Sequence, residues 1–293
     1  IALIQAATAR GLDVLGDDDE VSVGHGKGSL TWPTAVPPDP VGIDWSGLHH
    51  VPVALVTGTN GKTTTTRLST AIAEAAGMVA GLTSTDLVRV GDDILDRGDY
   101  SGPGGARMLL RDRRLEMAYL EVARGGILRR GLPLRQARAA VVTNVAADHL
   151  GQYGVNTVAE LAEAKFSVHR SLASDGVLVL NADDDVVVAE AARTEATICW
   201  FSLDPSNPAI AEAKANHQAC AWLDDTSLVF FDGDEPKTIA TTSGRAIPGI
   251  EVQCIDEAGQ EVPRGEPGEV IVRGYNIMRG YFGDESETQK AID

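Results

Sequence analysis

The feature that most constrains this chain is the segment Val51-Pro-Val-Ala-Leu-Val-Thr-Gly-Thr-Asn-Gly-Lys-Thr-Thr-Thr65. An apolar run typical of a buried strand ends at Thr57, a glycine turn follows, and a lysine and a run of threonines begin a helix. In this order, backbone N–H groups converge on an anion, the helix N-terminus adds partial positive charge, and the lysine reaches the terminal phosphates of a nucleotide. The segment therefore predicts a phosphate-binding loop.

The loop departs from the general phosphate-loop pattern G-x-x-x-x-G-K-S/T. Counting back from Gly61 places the first glycine of that pattern at position 56, where Val56 stands, and Gly58 is the glycine that is present. A glycine-rich turn without a ligand is the alternative interpretation, but strand, turn, lysine, threonine and helix follow one another in the required order. The candidate nucleotide contacts in this segment are Gly58, Thr59, Asn60, Gly61, Lys62, Thr63 and Thr64.

Composition and charge narrow the class of protein. Of the 293 residues, 43% are hydrophobic and only 5% aromatic, which is typical of α/β proteins with aliphatic parallel strands. A formal net charge of −17 argues against nucleic acid and anionic membranes as partners, whereas ATP needs only a local positive site. The three cysteines have no metal-binding spacing, and no apolar stretch reaches the roughly 18 residues of a membrane span. We expect a cytoplasmic protein.

The pattern along the chain divides it into three segments. Residues 1–50 form an N-terminal segment with a proline-rich linker, and its stretch Val21-Ser-Val-Gly-His-Gly-Lys-Gly-Ser29 is interpreted as a loop because it lacks a flanking strand and helix. In residues 51–240, buried strands alternate with helices, which predicts an α/β fold with a mostly parallel sheet flanked by helices. Residues 241–293 carry short strands between glycines and prolines and predict a small β-rich appendage.

Polar side chains stand where predicted strands end. Glu121 ends one buried strand, and Asn144 and His149 follow the next one. Ligands of parallel sheets gather at the carboxyl ends of the strands, so these side chains are predicted to lie near the phosphate loop. Magnesium prefers hard oxygen ligands, which Glu121 supplies. On residue type alone, His149 is an unusual magnesium ligand and a structural role fits it better.

Three further polar residues have a structural interpretation beside a functional one. Lys165 lies in a predicted amphipathic helix, where a lysine is ordinarily solvated. Asn181 and Asp183 follow another buried strand, and their spacing alone favours capping of the next helix.

Together these motifs resemble the central ATPase domain of the Mur ligases, over about residues 50–235. The resemblance rests on Gly58-Thr-Asn-Gly-Lys-Thr-Thr-Thr65, Glu121, Thr143-Asn-x-x-x-Asp-His-Leu-Gly151, Ala164-Lys165 and Leu180-Asn-Ala-Asp-Asp184. The segment Leu120-Glu-Val-Ala-Arg-Gly-Gly-Ile-Leu-Arg-Arg-Gly131 is most similar to the Mur-ligase part of cyanophycin synthetase and its stand-alone relatives. The resemblance implies a P-loop-type fold and an ATP-dependent ligase that joins a carboxylate and an amine through an acyl phosphate.

The resemblance also implies roles for individual residues. Lys62 would hold the β- and γ-phosphates of ATP, and Thr63 would hold one Mg²⁺ ion. Glu121 and His149 would hold a second Mg²⁺ ion between the γ-phosphate and the acyl acceptor. Lys165 matches a family lysine that is often carbamylated, a change that turns a cation into a carboxylate-like ligand. Lys62, Glu121, His149 and Lys165 are therefore the candidate catalytic residues.

The remaining implied contacts lie on the nucleotide. Asn181 would contact the adenine side, and Asn144 and Asp183 complete the candidate cofactor-binding residues. The implied substrates are a small-molecule or peptide-like carboxylate and an amine. Neither is identified by any residue of the chain.

The C-terminal segment resembles a different family. Gly244-Arg-Ala-Ile-Pro-Gly-Ile-Glu-Val252 and the run from Gly265 to Tyr281 are similar to the adenylate-forming acyl-CoA synthetases over about 50 residues. The Ser/Thr/Gly-rich ATP loop of that family is absent, so this segment is not expected to adenylate anything.

The third domain of the Mur ligases, which brings the amine, has no counterpart, and we expect an incomplete enzyme. The alternatives are a non-catalytic nucleotide-binding module and an acyl-CoA synthetase-like adenylating enzyme.

Overall fold

The computed structural model describes residues 1–148, 150–240, 250–256, 258–263 and 268–274. The chain divides into two compact units, Ile1–Ile239 and Ala240–Asp293. No helix of the described residues is both long enough and apolar enough to cross a membrane.

The larger unit begins with a small antiparallel sheet. Its elements are α1 (Ala2–Thr8), β1 (Val14–Gly16), β2 (Glu20–Val23) and β3 (Leu30–Pro33), with β2 between the other two strands. A 3₁₀ turn, Gly26–Gly28, separates β2 from β3, and a second one, Pro40–Gly42, follows β3. Leu3 and Ala7 of the helix pack with Val23 in a core of their own. The sequence predicts a short helix over residues 2–10, which is present as α1, but it does not predict these strands, because three- and four-residue strands give too little alternation to detect.

A large sheet occupies the rest of this unit, and its first half contains the phosphate loop. The elements in chain order are β4 (Val53–Thr57), α2 (Lys62–Ala75), β5 (Ala80–Thr83), β6 (Leu87–Val90), β7 (Asp93–Arg97), α3 (Pro103–Leu110), β8 (Met117–Glu121), α4 (Arg124–Arg130) and β9 (Ala137–Val142). The alternating apolar residues on either side of Gly91 predict a hairpin over residues 86–97, and it is present as β6 and β7, which pair antiparallel. Strand β5 was not expected, because its four residues are all buried and carry no polar alternation.

The second half continues the alternation of helices and strands. Its elements are α5 (Val158–Phe166), β10 (Leu172–Asn181), α6 (Asp185–Ala191), β11 (Thr197–Ser202), α7 (Pro208–Ala215), β12 (Cys220–Asp224), β13 (Ser227–Phe231) and β14 (Pro236–Ala240).

The strand order of the large sheet places the phosphate loop near its middle. In the described residues it has eleven strands, in the order β14-β13-β12-β11-β10-β9-β4-β8-β5-β6-β7. The seven strands from β12 to β5 run parallel to their neighbours, and antiparallel strands flank them. The central strands are aliphatic and closed to solvent, with Leu55, Leu120, Leu178 and Leu180 at most 1% exposed. The prediction of a mostly parallel sheet flanked by helices is confirmed.

The sequence pattern predicts an amphipathic helix over residues 157–172, and the helix in the structure is shorter. Thr157 and Glu160 form a reciprocal capping box that begins α5, as the sequence pattern requires. The α-helix ends at Phe166, and a 3₁₀ turn, Ser167–Ser171, follows it. The Ser167 hydroxyl donates to the carbonyl of Ala164 over 2.7 Å, and such side-chain bonds compete with regular helical bonding.

The smaller unit holds one two-stranded antiparallel sheet among its described residues. Strand β15 (Ile250–Ile255) pairs with β16 (Glu269–Gly274), and Ile255 also bridges to Glu261. Both strands were predicted from the sequence, and the small β-rich appendage is confirmed to this extent.

Candidate functional site

Two glycines give the loop between β4 and α2 its shape. Gly58 has φ 143° and Gly61 has φ 82°, backbone conformations that residues with a side chain rarely adopt. A Cβ atom on Gly58 would also overlap the hydroxyl of Thr143. Gly61 directly precedes Lys62, the first residue of α2, so the loop delivers the chain into a helix whose first N–H groups have no partner within the helix. Such a helix start binds anions.

The segment after β9 braces the loop from one side. The hydroxyl of Thr143 donates to the carbonyl of Asn60 over 2.6 Å, and the backbone N–H of Thr59 donates to the carbonyl of Asn144 over 2.9 Å. The side chain of Asn144 accepts from the N–H of Asn60 at 2.9 Å and donates to its carbonyl at 3.3 Å. Asn144, a predicted cofactor contact, therefore holds the loop backbone in place.

Thr63 and Glu121, two of the predicted metal ligands, are in direct contact. Glu121 is the last residue of β8, which pairs with β4 in parallel, so its carboxylate reaches the helix that starts after β4. The hydroxyl of Thr63 donates to Glu121 Oε2 over 2.7 Å, and Glu121 is only 2% exposed. A buried carboxylate and a hydroxyl at one edge of the sheet form a donor set of hard oxygens.

Two lysines approach the same loop from different elements. Lys62 Nζ donates to the carbonyl of Thr59 over 2.9 Å, across the loop. Lys165 of α5, 4% exposed, donates from Nζ to the carbonyl of Gly58 over 2.6 Å. The pKa of Lys165 is lowered to about 8, mainly by burial and also by the nearby Lys62 and Arg124, while Asp148 opposes the shift. The expectation of an ordinary solvated lysine is wrong for Lys165, because α5 turns this side chain inward.

The residues after β10 connect the loop region with the next crossover. The side-chain amide of Asn181 donates to the carbonyl of Thr143 over 3.0 Å. Asp183 accepts hydrogen bonds from the hydroxyl of Ser202 and, at 2.7 Å, from the backbone N–H of Leu203. The helix cap that spacing assigned to Asn181 or Asp183 belongs to Asp184, whose Oδ1 accepts from two N–H groups of α6.

Two contributors to the site were not singled out from the sequence. Thr143 lies within a quoted motif, and its hydroxyl is what excludes any side chain at position 58. Asp184 not only caps α6 but accepts from the N–H of Val145 at 2.7 Å, which ties the bracing segment to α6. An aspartate directly before an apolar helical run is the signal that identifies such a cap.

Thr64 is exposed in the first turn of α2, and His149 lies outside the described residues.

The parallel sheet with a phosphate loop after its central strand is the fold of a nucleotide-binding α/β protein, and comparison with known sequences identifies the family. Residues 56–238 match the Mur ligase middle domain, more than half of the chain, and the chain belongs to this family. It is 47% identical over 205 residues to cyanophycin synthetase from Crocosphaera subtropica, an alignment of 68% of this chain and 24% of that protein. The synthetase from Geminocystis herdmanii is 42% identical over 185 residues, 63% of this chain and 21% of that protein.

The chain spans only 20–26% of the length of the curated cyanophycin synthetases it matches. A second match, to the AMP-binding enzymes, covers residues 212–282. An indenyl-propanoyl:CoA ligase from Rhodococcus jostii is 48% identical over 60 residues, 20% of this chain and 10% of that protein. The expected resemblance of the C-terminal segment to acyl-CoA synthetases is thus confirmed.

Among solved structures, UDP-N-acetylmuramoyl-L-alanyl-D-glutamate–2,6-diaminopimelate ligase aligns with a TM-score of 0.48 at 21% identity, covering 65% of this chain and 39% of that chain.

Proposed function

We propose that this chain carries the ATP-binding domain of an ATP-dependent carboxylate–amine ligase that works through an acyl phosphate. The observation that carries the proposal is the contact between Thr63 and Glu121 at the start of α2, with Lys62 and Lys165 on the same loop. It is supported by 47% identity to a cyanophycin synthetase over 205 residues.

The residues present fit a nucleoside triphosphate. Gly58 and Gly61 leave the loop backbone without a side chain at these two positions, and α2 begins with N–H groups that have no partner within the helix and can bind an anion. Lys62 would hold the β- and γ-phosphates. When bound, ATP supplies the γ-phosphoryl group that gives a carboxylate substrate a leaving group, after which an amine forms the amide.

The same edge of the sheet fits a divalent cation. Thr63 and Glu121 supply the hard oxygen ligands that Mg²⁺ prefers, and His149 completes the proposed set. The cation supplies charge neutralisation when phosphoryl groups are present.

Lys165 is proposed to act in a modified form. Its lowered pKa makes the neutral amine accessible near pH 8, and only the neutral amine can attack carbon dioxide. The ammonium group first loses one proton; the neutral Nζ then bonds to the carbon of carbon dioxide as one C=O π bond opens onto oxygen, a second proton leaves the nitrogen, and a carbamate anion results. A carbamate beside the loop would add an oxygen ligand for the cation.

The nucleotide base is proposed to lie near the residues after β9 and β10. Asn181, Asn144 and Asp183 are the proposed contacts, with Asn181 on the adenine side. In the structure all three also hold neighbouring backbone or side-chain groups, so they would position the pocket as well as line it. The substrates are proposed to be a small-molecule or peptide-like carboxylate and an amine.

Product analysis tests the proposal. The full chain is incubated with ATP, Mg²⁺ and a panel of amino acids and short peptides, and the nucleotides are separated by chromatography. Release of ADP and phosphate that depends on a carboxylate supports the ligase. Nucleotide binding without any turnover supports a non-catalytic module. Release of AMP and pyrophosphate would instead support adenylating chemistry, the alternative suggested by the match of residues 212–282 to the AMP-binding enzymes.

A further inference from the structure

Apart from the residues of the phosphate loop, three side chains with metal-ligating atoms lie together next to β1, β2 and β4. Asp13 lies just before β1, His25 follows β2, and His50 lies just before β4. One possible ligand atom from each residue lies within 4.8 Å of the other two. These segments come from three different parts of the chain, so the cluster is made by the fold and not by one loop.

His25 is the unusual member of the cluster. Its side chain is 0% exposed, and neither ring nitrogen has a hydrogen-bond partner among the described residues. Its Nε2 lies 3.5 Å from Asp13 Oδ2, and its ring stacks on that of His50 with 4.2 Å between the centroids. A buried imidazole without hydrogen bonds is costly, because its nitrogens lose their water without gaining a partner. A cation bound between the Nε2 atom of His25 and the Asp13 carboxylate would give this nitrogen a partner.

The other two residues are held in position by the backbone. Asp13 Oδ2 accepts from the N–H of Arg135 at 3.0 Å, and the N–H of Asp13 donates to His50 Nε2 at 2.9 Å. The lone pair of His50 Nε2 accepts this hydrogen bond, so ligation of an ion through Nε2 would replace the contact with the Asp13 N–H.

We propose that Asp13, His25 and His50 bind a transition-metal ion of the zinc class. Two imidazoles and one carboxylate form a donor set that Zn²⁺ prefers, whereas Mg²⁺ prefers oxygen ligands. His50 also lines a cavity of about 270 Å³ together with Lys27 and Glu116.

A metal ion here would join the N-terminal segment to the nucleotide-binding sheet. Asp13 already contacts the N–H of Arg135, which lies just before β9, and His50 leads directly into β4. Those two strands carry the phosphate loop and its bracing segment. The ion would therefore stabilise the folded chain without touching the nucleotide site.

Zinc titration of the full chain tests this site. The protein is stripped with EDTA, and ZnCl₂ is titrated by calorimetry in a Glu121→Gln background, which removes the carboxylate of the proposed magnesium site. One saturable equivalent and a rise in thermal unfolding temperature with Zn²⁺ are expected. His50→Gln and Asp13→Asn should lose both effects, whereas His49→Gln, a change at the exposed neighbouring histidine, should keep them.

Cobalt spectroscopy of the protein with its native cluster makes the test independent of how well the variants fold. Co²⁺ bound by two imidazoles and a carboxylate should give visible absorption bands that Zn²⁺ displaces. Absence of saturable Zn²⁺ and Co²⁺ binding to the wild-type chain would overturn the proposal. So would equal binding by wild type and by folded His50→Gln and Asp13→Asn chains.

Discussion

The hydroxyl of Thr63 donates a hydrogen bond to Glu121 Oε2 across 2.7 Å, although 58 positions separate the two residues in the sequence. The contact exists because β4 and β8 are parallel neighbours, so the end of one strand meets the helix that follows the other. It places a buried negative charge beside the start of α2. A carboxylate in this position can serve as an oxygen ligand for a divalent cation.

The first prediction concerns that charge. Glu121→Gln keeps the shape and an acceptor for Thr63 but removes the carboxylate. Because Mg²⁺ held by Glu121 would neutralise charge on the phosphates, we expect it to strengthen nucleotide binding by about tenfold or more in the wild type and to have little effect in the variant. The measurement is titration with a fluorescent ATP analogue with and without Mg²⁺. Identical magnesium dependence in both proteins would remove Glu121 from the metal site.

The second prediction concerns the backbone of the loop. Gly58→Ala forces a side chain into a positive-φ position and against the Thr143 hydroxyl, so we expect a loss of about 2–4 kcal/mol in the free energy of unfolding. Gly104→Ala is the matched control, since Gly104 lies in α3 with open space around its Cβ position and should change stability by less than about 1 kcal/mol. Urea unfolding gives both values. Equal stability of the two variants would mean that the loop is not constrained as described.

The third prediction is a pH dependence set by Lys165. Burial lowers its pKa from 10.5 to about 8, so between these values the unfolded chain binds more protons than the folded one. The contribution of Lys165 to the free energy of unfolding is therefore least favourable below about pH 8 and improves as the pH rises towards 10.5.

Comparison with Lys165→Met isolates this contribution, because other groups titrate alike in both proteins. Relative to the variant, the wild type should gain stability from pH 8 to pH 10 in urea unfolding performed without carbon dioxide. Parallel stability curves over that range would show that the pKa of Lys165 is unchanged by folding.

The fourth prediction separates two roles of Asp183. Because its carboxylate accepts hydrogen bonds from Leu203 and Ser202, Asp183→Ala should lower the free energy of unfolding by about 1–2 kcal/mol. Asp185→Ala in the first turn of α6 is the control, with an expected loss below about 1 kcal/mol. Unchanged stability of Asp183→Ala with weakened nucleotide binding would favour a purely nucleotide-binding role.

Long-range features of the site were predictable where the sequence marks strand ends. Glu121 and Thr63 were placed in one site because parallel strands bring their carboxyl ends to one edge, and they are in contact. The loop glycines were predictable because only glycine tolerates such backbone angles. The orientation of Lys165 was not, since residue type alone makes a helical lysine solvated, and its burial depends on how α5 packs under the loop.

Short elements and distant contacts set the limit of prediction from sequence. The N-terminal strands have three or four residues and no clear alternation, so periodicity could not detect them. The meeting of Asp13, His25 and His50 depends on the pairing of those strands and on the position of residue 50 before β4. No local pattern in the glycine-rich stretch around His25 indicates it.

Nucleotide binding by the loop between β4 and α2 is tested most directly by isothermal calorimetry with Mg²⁺ and a non-hydrolysable ATP analogue. Lys62→Met removes the charge that lies across the loop, and Lys214→Met, in α7 beside Trp222, is the matched control. Saturable binding by the wild type and by Lys214→Met, weakened about tenfold or more in Lys62→Met, is the expected result. No binding by the wild type, or equal affinity of all three proteins, would contradict the assignment of this loop as the nucleotide site.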